Sequence, residues 1–118
     1  MIKKINNWKV VPIQTGQFWL DGGAMMGTVP RVLWEKEHVP DSKNRIELGM
    51  RVLLLDDGER RVIIETGIGN KFDAKFANMF TIKQSPEPLY DALEKNGYSP
   101  DDITDVILTH LHFDHAGG

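Results

Sequence analysis

Residues 45–67 read RIELGMRVLLLDDGERRVIIETG, and the fold class turns on how that stretch is paired. Two runs rich in long aliphatic and β-branched residues, 50–55 and 61–66, flank Asp57-Gly58. Aspartate followed by glycine suits a hairpin turn, because glycine takes the positive φ that such turns demand without steric cost. An antiparallel hairpin is the expectation. The apolar runs at 52–55 and 62–64 are continuous rather than alternating, which predicts strands covered on both faces.

Toward the C-terminus, residues 85–100 read SPEPLYDALEKNGYSP. Ser85 is placed to cap a helix, Pro86 to take its first position and Asn96-Gly97 to end it, with Leu89 and Leu93 facing the core. A strand over residues 103–109 follows directly, and a helix feeding a buried strand is α/β behaviour. Phe72, Phe76, Met79 and Phe80, at three- and four-residue spacings, predict a further helix within 70–83. Toward the N-terminus, WKVVPIQ at 8–14 reads as a strand in which Pro12 marks an edge or a bulge. A short strand over 18–20 then turns at Asp21-Gly22-Gly23. Residues 24–34, AMMGTVPRVLW, are apolar but broken by Gly27 and Pro30 and read as a packed loop, and 35–44 as a surface connection.

The 118 residues suit one domain over 1–118, and 41% hydrophobic against 26% charged residues is a balance that buries a core. Fourteen basic and seventeen acidic residues are interspersed, giving a net charge of -3 and no basic face for nucleic acid. The first sixteen residues hold no continuous apolar run, so neither a signal peptide nor a membrane span is expected, and the cytoplasm is the default location. With no cysteine in the chain, any metal must be held by imidazole and carboxylate.

Those groups are concentrated in one place. Residues 109–118 read THLHFDHAGG, which puts three of the four histidines within six residues, with an aspartate among them. In extended chain His110, His112 and Asp114 project to one side while Leu111 and Phe113 project to the other. His115 joins them where the backbone turns, as the small residues 116–118 permit. Imidazoles beside a carboxylate suit a divalent metal of borderline softness, zinc first, with iron, manganese or cobalt as alternatives. Solvated histidines at a strand end are the plainer reading, but no structural cause favours histidine three times in six residues. Neither a G-x-S-x-G elbow nor an H-E-x-x-H helix is present.

THLHFDHAGG resembles the H-x-H-x-D-H signature of the metallo-β-lactamase superfamily. VIIETGIGN at 62–70 is similar to that family's strand and turn ending in Asp-Thr-Gly, with Glu65 where aspartate is usual. FWLDGGAMMGTVPRVLW at 18–34 resembles the opening segment of the branch with acyl-homoserine lactonases and methyl-parathion-hydrolase-like enzymes. The resemblance implies an α/β fold, the N-terminal half of an αββα sandwich with one mixed sheet and flanking helices. It implies two divalent metal ions, His110 and His112 on the first and Asp114 and His115 on the second. Metal-held hydroxide would attack an ester or lactone, with Asp114 as a catalytic residue orienting the nucleophile. Further ligands come, in the family, from sequence beyond this motif, so the 118 residues carry about half a binuclear site. A homo-oligomer or a complementary C-terminal chain would then complete it. Met25 and Met26 are candidates to contact the substrate, since flexible thioethers suit acyl chains. The alternative is a catalytically inactive fragment of the fold that serves assembly.

Overall fold

The computed structural model describes residues 3–118. The expected hairpin is present: β3 (Arg45–Asp56) pairs antiparallel with β4 (Arg61–Ile64), Leu53 opposite Ile64 and Asp56 opposite Arg61. Its turn closes on carboxylates. Asp56 Oδ1 accepts the Gly58 N–H at 2.8 Å, and Asp57 Oδ1 accepts the N–H groups of Glu59 and Arg60 at 3.0 and 2.6 Å. Gly58 sits at φ 95°, where a β-carbon is penalised.

The hairpin is the middle of one five-stranded mixed sheet in sequence order: β1 (Lys3–Ile5), β2 (Trp8–Asp21), β3, β4 and β5 (Asp105–Ile107). β1 pairs antiparallel with β2. β4 and β5 run parallel, which requires a crossover, and the connection between them contains α4 (Pro88–Lys95). The short helices α1 (Gly22–Met26), α2 (Arg31–Trp34), α3 (Ala74–Met79) and α5 (Phe113–Ala116) and a 3-10 turn at Pro100–Asp102 complete the elements. No helix among the described residues is long and apolar enough to cross a membrane.

The chain divides into two compact units, and β2 and β3 contribute to both. The first comprises residues up to Gly16, Met50–Lys71 and Gln84–Gly118. Its core joins Val11 and Ile13 of β2, Val52 and Leu54 of β3, Ile63 of β4, and Ala92 and Leu93 of α4 with Tyr98, while Leu89 packs against this cluster. Full burial of an aliphatic side chain such as Leu54 or Leu93 contributes about 1.5–3 kcal/mol, and that fixes α4 to the sheet. The second unit, Gln17–Gly49 with Phe72–Lys83, is held by backbone bonds between Gln17 and Lys83 and by Trp19 N–H to the Phe80 carbonyl at 2.7 Å. Within it Trp34 is buried against Gly22, where a β-carbon would lie 2.5 Å from the indole ring.

Several local expectations are corrected. Residues 8–14 and 18–20 belong to one fourteen-residue strand, β2. Pro12 lies within that strand and is exposed. Residues 24–34 form not a packed loop but α1 and α2, the first capped by Asp21 accepting the Ala24 N–H at 2.7 Å, and Met25, Val29, Val32 and Leu33 are exposed. The helix within 70–83 shrinks to α3, started by Asp73 accepting the Phe76 N–H. α4 begins at Pro88 with Glu87 as its N-cap, not at Pro86 with Ser85. A residue before proline is kept out of the helical region, so a helix in SPEP starts only at the last proline. β5 covers 105–107 rather than 103–109, and β3 alternates buried with half-buried or exposed positions instead of being covered on both faces.

Candidate metal centre

β4 ends at Ile64, and the next residue leaves the sheet in a left-handed conformation, Glu65 at φ 73°. Its N–H donates to the Ile107 carbonyl at 2.8 Å, which anchors the end of β4 to the end of β5. The residue is only 8% exposed, and both carboxylate oxygens are engaged. Oε1 accepts the Thr109 N–H at 2.7 Å, and Oε2 meets His115 Nδ1. Burial pushes the Glu65 carboxyl up, but the hydrogen bonds from Thr109 and His115 outweigh it and hold the group below its ordinary value.

From β5 the chain runs through residues 108–112 without regular structure to His112, the N-cap of α5. The backbone therefore turns at Phe113, and strand alternation does not carry Asp114 to the face of His110 and His112. The helical turn brings Asp114 and His115 in instead. Backbone bonds fix that turn: the Thr66 N–H and Oγ1 both donate to the His115 carbonyl, at 2.8 and 3.1 Å. Gly117 N–H donates to the Gly67 carbonyl at 3.0 Å, and Gly118 N–H to Thr66 Oγ1 at 3.0 Å. The stretches 66–69 and 117–118 lie so close that a β-carbon on Gly69 would stand 2.1 Å from the Gly117 carbonyl oxygen. One on Gly117 would stand 2.2 Å from that of Ile68.

The four expected ligands meet in pairs, while the group whose ligand atoms all lie within 4.8 Å of one another is Glu65, His110 and His115, without His112 or Asp114. The His110 ring lies 4.7 Å from that of His112, edge to face, and 4.1 Å from that of His115. Thr109 Oγ1 meets His110 Nδ1 at 2.9 Å. His115 Nε2 lies 3.2 Å from Asp114 Oδ2. Two donors each bound to zinc at 2.0–2.1 Å with tetrahedral angles are separated by about 3.3 Å, so this pair has the spacing of two ligands on one ion. The ring meets a carboxylate at each nitrogen, an arrangement that suits a cation between Nε2 and Oδ2. The residues present therefore fit a divalent metal. Glu65, His110 and His115 also offer ligand atoms within 4.8 Å of one another.

Glu65, Thr66 and Thr109 touch the candidate ligands and are positions that spacing does not reveal. The available signal was a carboxylate directly after the apolar run 62–64. Met25 and Met26 close α1 in the second unit, Met25 exposed and Met26 half-buried. Val106 and Ile107 of β5, the last strand in the sheet order, and Leu108 just after it are 41–56% exposed.

The family model described as the metallo-beta-lactamase superfamily matches residues 50–118. An N-acyl homoserine lactonase of Bacillus cereus is 32% identical over 84 residues, 64% of this chain and 34% of that protein. The crystal structure of a probable metal-dependent hydrolase from Staphylococcus aureus superposes with a TM-score of 0.87 at 33% identity, covering 98% of this chain and 42% of that one. AidC, described as a dizinc quorum-quenching lactonase, shares the fold at a TM-score of 0.73 and 24% identity, over 100% of this chain and 38% of its own. The chain thus spans about a third of the curated lactonase and about two fifths of these structures.

Proposed function

The chain belongs to the metallo-β-lactamase superfamily, and from that premise we propose that it carries the first half of the metal centre of a hydrolase acting on lactones or related esters. The observation that carries this reading is the pairwise contact of the His110 ring with those of His112 and His115 and of His115 Nε2 with Asp114 Oδ2, the last at a donor spacing suited to zinc. His110 and His112 hold one ion and Asp114 and His115 the second, with zinc preferred over iron, manganese or cobalt. When bound, the metal supplies Lewis acidity and a water acidic enough to attack a carbonyl near neutral pH. Asp114 serves twice, one oxygen as ligand and the other orienting that water. Met25 and Met26 are assigned to the apolar part of the substrate, supported by the exposure of Met25 and the adaptability of thioethers.

The choice of lactone is supported by the similarity to N-acyl homoserine lactonases. The apolar residues Val106, Ile107 and Leu108, exposed at β5 and just after it beside a strand edge unpaired among the described residues, support the reading that further polypeptide covers this side of the sheet.

Elemental analysis of the purified chain after dialysis against metal-free buffer tests the reading. Close to two equivalents of zinc, iron or manganese per chain, lost in His112→Ala together with hydrolysis of acyl-homoserine lactones, is the expected result. Turnover that survives His112→Ala would overturn it.

A further inference from the structure

We propose that the groove between the β1–β2 and β3–β4 turns binds a phosphate group, held by Lys4 and Lys9, and that it does so independently of the metal centre. The groove, of about 420 Å³, is lined by Lys3, Lys4, Asn7, Lys9, Asp56 and Gly58, all within the first unit. Asp56 and Gly58 precede β4, whereas Glu65 and the histidine cluster stand beyond its other end. The two sites are thus at opposite ends of that strand. Strand register sets Lys4 directly opposite Lys9. Side chains so paired share one face of the sheet, and like charges there repel. Lys9 lies two and four residues before Val11 and Ile13, so it points to the face on which those residues pack against α4. Its ammonium stands 5.7 Å from the centre of the Tyr98 ring, a cation–π contact that holds the side chain in place over the core.

Lysines on an edge strand guard against unwanted strand pairing, which accounts for Lys3 and Lys4 of β1. It does not account for Lys9, because β2 lies inside the sheet between β1 and β3. Nor does the carboxylate of the groove balance the charge. Asp56 Oδ1 accepts the Gly58 N–H at 2.8 Å and lies 3.7 Å from Arg61 Nε, and Oδ2 accepts the Tyr98 hydroxyl at 3.0 Å. None of the three lysines forms an ion pair among the described residues. Three lysines against one aspartate leave a local charge of +2 in a chain whose formal charge is -3. Two opposed ammonium groups call for an anion with two charges spread over several oxygens. A phosphate group at neutral pH carries nearly that, and lysine serves it as a point charge without fixed geometry. The Asn7 amide adds a neutral donor, and at Gly58 an added β-carbon would meet nothing within 4 Å, so the mouth of the groove is open.

The test is a titration of the nitrogen-15-labelled 118-residue chain, without added metal, with inorganic phosphate and separately with glycerol phosphate, followed through the amide NMR signals. The proposal expects saturable shifts centred on Lys4, Asn7, Lys9 and Gly58. It expects Lys4→Ala and Lys9→Ala each to weaken binding about tenfold, the loss of one charge-assisted bond. Lys75→Ala, an exposed lysine of the second unit, should leave binding unchanged. Tighter binding of glycerol phosphate would make the ligand a phosphate ester, and equal or tighter binding of the inorganic ion would make it free phosphate; either bears the proposal out. Shifts that grow without saturating, or an equal weakening by Lys75→Ala, would reduce the effect to general charge screening and overturn it. Shifts centred on residues 110–115 would overturn it as well. Should a lysine variant fail to keep the wild-type circular dichroism, the map of shifts on the wild-type chain decides.

Discussion

β4 is four residues long, and its two ends use carboxylates in opposite ways. At its entrance Asp57 is satisfied within its own turn, by N–H groups two and three residues on, and the left-handed position is given to Gly58, while Asp56 closes the turn with one oxygen and accepts the Tyr98 hydroxyl at 3.0 Å with the other. At its exit the left-handed position is occupied by Glu65, whose oxygens are satisfied by groups 44 and 50 residues further along the chain. One end is a local device that reverses the strand. The other accepts an unfavourable backbone and gains long-range contacts to the candidate metal ligands. Where a glycine would be conformationally easier, the presence of a glutamate marks a position kept for its side chain.

The sharpest way to break this contrast is at the histidine that Glu65 reaches. His115→Ala removes both a ligand and the partner of Glu65, and is expected to reduce zinc affinity by more than the about 100-fold upper end that loss of an orienting partner costs, in a competitive titration. Glu65→Ala comes next: it leaves the Thr109 N–H and His115 without an acceptor and should cost about 1.5–3 kcal/mol in urea denaturation. Glu65→Gly loses the same bonds but relieves the backbone, so it should be about 1 kcal/mol more stable than Glu65→Ala. An alanine variant as stable as the glycine one would show that no conformational cost is stored there. At the entrance Gly58→Ala should cost about 1 kcal/mol and leave zinc binding untouched, since nothing crowds that position and only φ opposes a β-carbon.

The smallest effect concerns acid. Hydrogen bonds from the Arg60 and Glu59 backbone, with the nearby Arg60 charge, hold the Asp57 carboxyl below its ordinary value. A depressed carboxyl stabilises the fold above its unfolded pKa and loses that contribution as pH falls through the folded one. The stability difference between wild type and Asp57→Asn should therefore be full at neutral pH and shrink below about pH 4. A difference independent of pH would detach the turn from its charge.

The same contrast accounts for what was legible in the sequence. The hairpin could be read because Asp57-Gly58 states its own geometry, and α4 ended where Asn96-Gly97 predicted, its C-cap being Asn96. Its start was misplaced because two prolines compete within SPEP and only the last sets the boundary. The histidine cluster was visible as composition, but its assembly was not. Alternation along an extended chain fails at Phe113, where α5 begins, and Glu65 lies too far back for any local period to connect it with His115. Met25 and Met26, read as part of a packed loop, stand on a helix whose exposed neighbours Val29, Val32 and Leu33 follow no core pattern.

The interleaving of residues 66–69 with 117–118 also limits how this protein can change. A β-carbon on Gly69, Gly117 or Gly118 would fall 2.1–2.2 Å from a backbone oxygen of the facing stretch, a clash that no rotamer relieves because the obstacle is main chain. A selection on variants of these three positions should return glycine at each. Variation would then have to be accommodated in parts of the chain away from this seam, while the seam itself passes unchanged from one descendant sequence to the next.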